Sequence, residues 1–204
     1  MPLHHTHTPW GEVFRTPSLA PLCVQYFANS YGFYFFITWL PTYLAKGRGL
    51  QAGQLALFSG LPLLLSVIAD ITGGMTTDFL SRRFGTRIGR SAVGGGAYLF
   101  AAVVMLAGTL AADGRVAGTL IAVAGALSMF TLAASWATAI DLGGRNAAVL
   151  SATMNTAGQV GGILSPIVLA YLVESYGDWS LPLHVLSGLY LIASMAWIFI
   201  HPRH

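Results

Sequence analysis

Six long apolar runs, separated by short polar loops, occupy almost all of this 204-residue chain. A helix of about 20 mostly apolar residues is long enough to cross the hydrocarbon core of a bilayer. A spanning segment must satisfy its own backbone hydrogen bonds, because no water is available there, and this favours helices. The runs therefore predict an all-α polytopic membrane protein with six transmembrane helices. They cover residues 19–45, 53–79, 91–112, 116–140, 146–174 and 181–200.

The charged residues give these helices an orientation. Only 8% of the residues are charged, and Lys and Arg together number ten. Cytoplasmic loops carry an excess of Lys and Arg, and placing both termini in the cytoplasm puts most cations on that side. We therefore predict an integral protein of a plasma membrane (the inner membrane of a bacterium), with both termini cytoplasmic and no nucleic-acid partner. The inner cations are then Arg15, Arg82, Arg83, Arg87, Arg90, Arg145 and Arg203, and the outer ones are Lys46, Arg48 and Arg115.

Polar residues form stripes at helical spacing in four of the six runs. Inside a membrane such a stripe must face protein or water, so the four striped helices are predicted to surround a solute path. The third and sixth runs are apolar nearly all round, which is typical of helices on the lipid-facing outside of a bundle. The stripes are Gln25 and Asn29 in the first run; Ser66, Asp70, Gly73 and Thr77 in the second; Ser128, Thr131, Ser135 and Thr138 in the fourth; and Asn155, Gln159, Gly162 and Pro166 in the fifth.

Asp70 places a carboxylate about 13 Å from the cytoplasmic end of the second run, at 1.5 Å per residue. A charge at that depth costs roughly 3 kcal/mol on insertion scales unless it has water or a partner. No Lys or Arg lies at mid-membrane depth in the sequence. Asp70 is therefore a candidate for proton coupling. A structural hydrogen bond to a neighbouring helix, or water contact in a cavity without a coupling role, explains it equally well.

Asn155 and Gln159 lie near the predicted middle of the bilayer, where secondary transporters hold their substrates. Polar side chains also join membrane helices without touching a solute, so both interpretations stay open for these two residues. Gly158 and Gly162 form a small-xxx-small pair beside them, which predicts close approach of a neighbouring helix.

Two aromatic residues are further candidates for the path. Trp136 either stacks on a ligand or anchors its helix at the membrane interface. The aromatic run that includes Tyr31, Tyr34 and Trp39 is mostly packing, and one of its tyrosines is expected to reach the pathway; we take Tyr34 as the candidate.

The sequence offers little for catalysis. Its single cysteine, Cys23, lies inside the first run, which excludes an internal disulfide and a cysteine metal cluster. His4, His5 and His7 form a polar leader that we interpret as a solvated loop, and no phosphate-cradling loop precedes a helix. We therefore predict no enzymatic activity, no metal site and no cofactor.

Three segments resemble a known family. His7 to Trp10, HTPW, followed by YGFYFFITWLPTYL at residues 31–44, resembles the start of the second half of anion:cation symporters of the major facilitator superfamily. NTAGQVGGILSP at residues 155–166 is similar to their eleventh helix. Gly74, Asp78, Arg82 and Arg83 are similar to the cytoplasmic loop motif of the superfamily. Phe79 and Ser81 replace a basic residue and a glycine of that motif, which weakens it as a clamp.

The resemblance implies a major-facilitator half-bundle that corresponds to helices seven to twelve. Residues 1–18 are then a cytoplasmic leader resembling the central loop, and residues 19–204 are the six-helix C-terminal bundle. The implied function is proton-coupled symport of a small organic anion, such as a sugar acid or another carboxylate, by alternating access. The implied partners are that anion, a proton, the lipid bilayer and an N-terminal six-helix half.

The resemblance also implies solute contacts, carried over position by position. Gln25 and Asn29 match the seventh helix, Ser135 and Trp136 the tenth, and Asn155 the eleventh. With Tyr34 and Gln159, these residues form the predicted substrate-binding set. The alternative is a non-transporting membrane subunit, or a truncated fragment, that binds a partner bundle.

Overall fold

The computed structural model describes residues 10–201, and every regular element in that range is helical. Residues 1–9 of the predicted leader, with His4, His5 and His7, lie outside the described residues. The helices are α1 (Trp10–Phe14), α2 (Leu19–Thr38), α3 (Leu40–Thr42), a π-helical turn (Tyr43–Gly47), α4 (Ala52–Phe84), α5 (Thr86–Leu110), α6 (Gly114–Met129), α7 (Leu132–Gly143), a 3₁₀ turn (Gly144–Asn146), α8 (Ala147–Tyr176) and α9 (Leu181–Ile198).

Four helical stretches of the described chain are long and apolar enough to cross a membrane: Ala52–Phe84, Thr86–Leu110, Gly114–Tyr176 and Leu181–Ile198. The third has 63 residues, which would measure about 95 Å as one straight helix and so exceeds a single crossing. It contains α6, α7 and α8, which are separated by turns. The predicted all-α membrane class is confirmed.

Contacts between residues that are far apart in the sequence define the two ends of the bundle. At one end, the Ser18 hydroxyl before α2 accepts from the His201 amide after α9 at 3.0 Å. At the same end Arg90, near the start of α5, pairs with Asp141, near the end of α7. We call this the basic end, because most of the arginines lie there. Since consecutive long helices alternate in direction, α2 and α8 run parallel to each other.

Arg48 closes the opposite end. Its guanidinium donates to the Tyr43 hydroxyl at 2.6 Å, to the Ala111 carbonyl at 2.7 Å and to the Thr109 carbonyl at 2.8 Å. The last carbonyls of a helix have no partner inside the helix, so Arg48 satisfies those at the end of α5. In the sequence Arg48 served only to orient the helices, but here it also connects the π-helical turn to the end of α5.

The helix that is least buried in this chain is α4. Only four of its 33 residues are buried, whereas ten of 25 are buried in α5 and eight of 18 in α9. The expectation that the third and sixth runs form the outside is therefore incomplete. Helices α5 and α9 pack extensively on each other and keep only one face exposed, because small residues such as Gly94 admit the Trp197 indole.

The connection between α4 and α5 is much shorter than predicted. The second run was expected to end at residue 79 and to be followed by a loop, but α4 continues to Phe84. Arg82 and Arg83 are good helix formers that extend the helix beyond its apolar part. Gly85, with φ of 87°, then ends it in a conformation that glycine adopts without strain. The motif residues therefore lie on a helix.

Candidate functional site

A glycine stripe on α8 brings that helix into close contact with α2. An added Cβ at Gly158 would lie 2.7 Å from the Tyr26 ring, and one at Gly162 would lie 2.5 Å from the Tyr34 ring. At Gly161 it would lie 2.4 Å from the Phe27 carbonyl oxygen. Because no side chain larger than hydrogen fits at these positions, the predicted close approach at Gly158 and Gly162 is confirmed.

Four predicted site residues lie along the edge of this α2–α8 seam, and we call them the open face: Tyr34, Trp136, Asn155 and Gln159. Gln159 is exposed, and the other three are half-buried. The Tyr34 hydroxyl donates to the Gln159 side-chain oxygen in a long hydrogen bond of 3.4 Å. Asn155 precedes Gln159 by one helical turn on α8. The open face carries amide, phenol and indole groups and no charged side chain.

Tyr26 connects Trp136 to the seam. The Trp136 indole N–H donates to the Tyr26 hydroxyl at 3.1 Å, and the two rings meet edge to face with centroids 5.9 Å apart. Tyr26 also rests against Gly158 of α8, one turn beyond Asn155. Tyr26 therefore holds the α7 and α8 parts of the open face next to each other.

The other three predicted contacts lie inside the bundle. Gln25, Asn29 and Ser135 are at most 4% exposed. The Gln25 side-chain oxygen accepts from the Ser135 hydroxyl at 3.1 Å and from the Tyr98 hydroxyl at 3.2 Å. The Asn29 amide donates to the Ser128 carbonyl at 2.9 Å. We call these five residues the buried polar cluster, and their hydrogen bonds are made with the protein.

The rest of the predicted polar stripe on the fourth run also faces the interior. Thr131 and Thr138 are fully buried, and their hydroxyls donate to the carbonyls of Ser128 and Ala134 at 2.8 and 2.7 Å. The stripe therefore lines the packed interior of the bundle in this conformation, and only Trp136 of this run reaches the open face.

Asp70 lies apart from the open face, on α4. It is half-buried, and its carboxylate forms no ion pair with any residue from 10 to 201. One turn further along, Gly73 touches the Phe130 carbonyl so closely that an added Cβ would lie 2.1 Å from its oxygen. Asp70 is thus near the point where α4 crosses the junction of α6 and α7.

The motif residues lie at the basic end. Arg82 and Asp78 approach to 4.0 Å, with side chains that are 82% and 72% exposed. Gly74 faces Ala133 of α7, where an added Cβ would be in ordinary contact. Arg83 lies over the ring of the adjacent Phe84, 5.8 Å from its centroid. These four residues make no close connection to the open face.

Sequence reasoning missed three residues that organise the site. Tyr26 directly follows Gln25, which belongs to the polar stripe of the first run, and this position was the one signal in the sequence that could have identified it. Tyr98 gave no signal, because it lies in a run that is otherwise apolar. Arg90 was counted only for orientation, although its 2.5 Å pair with Asp141 fixes α5 to α7. Within residues 10–201, no three His, Cys, Asp or Glu side chains are grouped as metal ligands.

Comparisons with known proteins agree with this architecture. The model of the Major Facilitator Superfamily matches residues 2–166. The chain is 34% identical over 200 residues to the probable sulfoacetate transporter SauU of Cupriavidus necator, which covers 96% of the chain and 45% of the relative. It is 29% identical over 182 residues to the hexuronate transporter of Bacillus subtilis, covering 87% and 43% of the two. It is 28% identical over 170 residues to the probable galactarate/D-glucarate transporter GudP of Escherichia coli, covering 81% and 37%.

These matches bear on several predictions. The chain spans less than half the length of each of the three relatives. Their names are those of transporters of organic anions, so the family resemblance read from the sequence is confirmed. The same names describe transporters and not enzymes, which supports the prediction that the chain is not an enzyme.

Proposed function

The chain belongs to the Major Facilitator Superfamily, and from this premise we propose that it is the C-terminal half of a secondary transporter of a small organic anion. The bundle would complete its solute site only with an N-terminal six-helix half. Two observations support this: the relatives are about twice as long as the chain, and α4 presents an almost unburied apolar surface.

We place the helices across the membrane six times, with both termini in the cytoplasm. The passes are α2 with α3, α4, α5, α6 with α7, α8, and α9. Arg82, Arg83 and Arg90 lie at the basic end of the bundle, whereas Arg48 lies at the other. The excess of cations on cytoplasmic loops supports a cytoplasmic basic end.

The open face carries this proposal. It is a patch of neutral hydrogen-bonding groups on the exposed side of the α2–α8 seam, whereas α4 presents mainly apolar side chains. Amide and phenol donors suit the oxygens of a carboxylate or sulfonate. Asn155, Gln159, Tyr34 and Trp136 are the residues we assign to solute contact. Because the face has no cation, the charge of the anion would be balanced by the N-terminal half.

We further propose that Asp70 couples transport to protons. Asp70 is a half-buried carboxylate on a membrane helix, with no cation partner among the described residues, and carboxylates inside membrane helices serve as proton relays in transporters. Protonation from one side and release to the other would let Asp70 change its charge as the two halves move. The predicted coupling concerns this residue and does not require it to touch the solute.

Uptake by the complete transporter tests the proposed function. Proteoliposomes would be offered sulfoacetate, glucuronate and D-glucarate, with and without an inward proton gradient. Asn155→Ala should lower uptake of the accepted anion about tenfold or more, because it removes a hydrogen bond in the site. Thr156→Ala, on the next position of α8, is the matched control. Failure to take up any organic anion, or full uptake by Asn155→Ala, contradicts the proposal.

Asp70→Asn tests the coupling separately. The neutral amide cannot exchange a proton, so uptake driven by the proton gradient should be lost while exchange of labelled for unlabelled anion continues. Both rates are measured in the same proteoliposomes. Gradient-driven uptake that survives the substitution rules out Asp70 as the proton carrier and leaves the solute site unaffected.

A further inference from the structure

We propose that Gln25 and Tyr98 hold α7 in the rotational position that presents Trp136 at the open face, so that both residues set solute affinity without touching the solute. This inference rests on the proposed function, because it assigns a role toward the same site. It concerns two positioning residues, one of them on a helix whose sequence gave no sign of involvement.

The first observation is a break in the helix that carries Trp136. Regular α-helix stops at Met129 and resumes at Leu132. Across the break the Thr131 amide donates back three residues to the Ser128 carbonyl at 3.4 Å, instead of four residues back. The backbone stays right-handed helical through Phe130 and Thr131, so the break is a point at which the helix bends. Contacts with other helices then help to set how α7 is turned.

Helix α2 contacts the broken helix on both sides of the break. On the α6 side, the Asn29 amide donates to the Ser128 carbonyl at 2.9 Å. On the α7 side, the Ser135 hydroxyl lies 3.1 Å from the Gln25 side-chain oxygen and 3.0 Å from the Thr131 carbonyl, and shares its one proton between them. Gln25 and Asn29 are one turn apart on α2, so a single helical face spans the break. The contact with Ser135 bears on the rotation of α7, together with the Trp136–Tyr26 hydrogen bond and the Arg90–Asp141 pair.

Tyr98 of α5 fixes Gln25 from the other side. Its hydroxyl lies 3.2 Å from both the main-chain and the side-chain oxygen of Gln25, and Tyr98 is fully buried. The Gln25 side-chain nitrogen has no hydrogen-bond partner. Tyr98 and Ser135 both bond to the Gln25 side-chain oxygen, so Tyr98 helps to hold that atom beside Ser135.

A second hydrogen bond between α2 and α7 is made by the residues that follow Gln25 and Ser135. Trp136 follows Ser135, and its indole N–H donates to Tyr26, which follows Gln25. Successive residues of a helix point about 100° apart, so a rotation that loses the Ser135 contact also displaces the Trp136 ring. The interior contact thereby sets the geometry of the face.

Transport affinity is the first test, measured on the complete transporter. Tyr98→Phe and Gln25→Met should each raise the apparent KM for the accepted anion about tenfold, because small displacements in a site are costly. The double variant should be no worse than either single one. Tyr31→Phe is the matched control, since Tyr31 is a buried tyrosine of α2 whose hydroxyl has no hydrogen-bond partner among the described residues. It should keep the wild-type KM.

A solute-independent measurement separates this inference from the proposed function. In a Cys23→Ala chain carrying Ala137→Cys on α7, the rate of thiol labelling reports how that helix is turned. Tyr98→Phe and Gln25→Met should change this rate in the same direction, by about threefold or more, and Tyr31→Phe should not. Circular dichroism checks that each variant is folded. Should Gln25→Met fail to fold, Ser135→Ala removes the same contact more gently.

The outcomes differ for the two ideas. If Gln25→Met raises KM and Tyr98→Phe does not, Gln25 contacts the solute directly and the inference is wrong. An unchanged labelling rate in both variants also overturns it. If the wild type transports no organic anion while both variants change the labelling rate, the proposed function fails and the positioning of α7 stands as a structural fact.

Discussion

The open face and the buried polar cluster are built from the same kinds of residues on the same helices, yet they differ in what satisfies their polar atoms. Gln25 and Ser135 bond to each other in the interior. Their immediate neighbours Tyr26 and Trp136 bond to each other at the edge of the face. Further out, Asn155 is half-buried, and Gln159 is exposed and accepts the long hydrogen bond from Tyr34. A polar stripe in a membrane helix thus predicts that this side of the helix faces away from lipid. It does not predict whether the side packs against protein or faces a solute path.

The largest effect is expected where the interior has no free space. Gly73→Ala would place a methyl group 2.1 Å from the Phe130 carbonyl oxygen, forcing α4 away from the break at a cost of about 2–3 kcal/mol in unfolding free energy. Gly60→Ala, on the same helix with nothing within 4 Å, should be neutral or stabilising by up to about 1 kcal/mol. Unfolding in mixed micelles measures both. Equal stabilities would show that the junction is loosely packed.

The next effect compares the two regions directly. Asn29→Leu removes a buried hydrogen bond to the Ser128 carbonyl. It should therefore lower the unfolding free energy by about 1–2 kcal/mol. Asn155→Leu should change stability by less than about 0.5 kcal/mol and reduce uptake instead. If Asn155→Leu proves the more destabilising of the two, the open face is a structural contact and the comparison breaks down.

A smaller effect is expected at the basic end, where two ion pairs differ in exposure. Asp141→Asn removes the carboxylate partner of Arg90, whose side chain is only 11% exposed, and should cost about 1 kcal/mol. The loss should persist at high salt, because a shielded pair is screened less. Thermal unfolding in detergent at low and high ionic strength measures it. If Asp141→Asn is as stable as the wild type, the Arg90–Asp141 pair contributes no more than an exposed surface ion pair.

The smallest effect belongs to the exposed pair of the motif. Asp78 and Arg82 are 4.0 Å apart and largely exposed, so Asp78→Asn should change the unfolding free energy by less than about 0.5 kcal/mol. The same substitution reduces transport only if the pair meets the N-terminal half. A stability loss equal to that of Asp141→Asn would show that exposure does not separate the two pairs.

The sequence predicted much of the architecture. The all-α membrane class, the positions of the long helices and the close approach at Gly158 and Gly162 followed from it. The ends of the runs were less accurate: α4 continues five residues beyond residue 79, and the fourth run is two helices instead of one. Apolar composition marks the part of a helix that lies in lipid, but a helix can continue with polar residues or break while staying apolar.

The candidate site was predicted only in part. Polarity identified Asn155 and Gln159, whereas Trp136 was identified as an aromatic residue beside Ser135 and by the family resemblance. All three lie on the open face. Polarity selected Gln25, Asn29 and Ser135 equally, and the structure places these in the interior. Tyr98 could not be found, because a single tyrosine in an apolar run has no pattern.

The sequence by itself determined that this chain is a helical membrane protein, because the bilayer imposes its thickness and polarity on every span in the same way. Its motifs also resemble those of a transporter family. Only the tertiary structure decided which polar side chains lie in the packed interior and which lie at the open face, because that depends on the rotation and the neighbours of each helix. Ser135 is buried in the interior, whereas the next residue, Trp136, is half-buried at the open face.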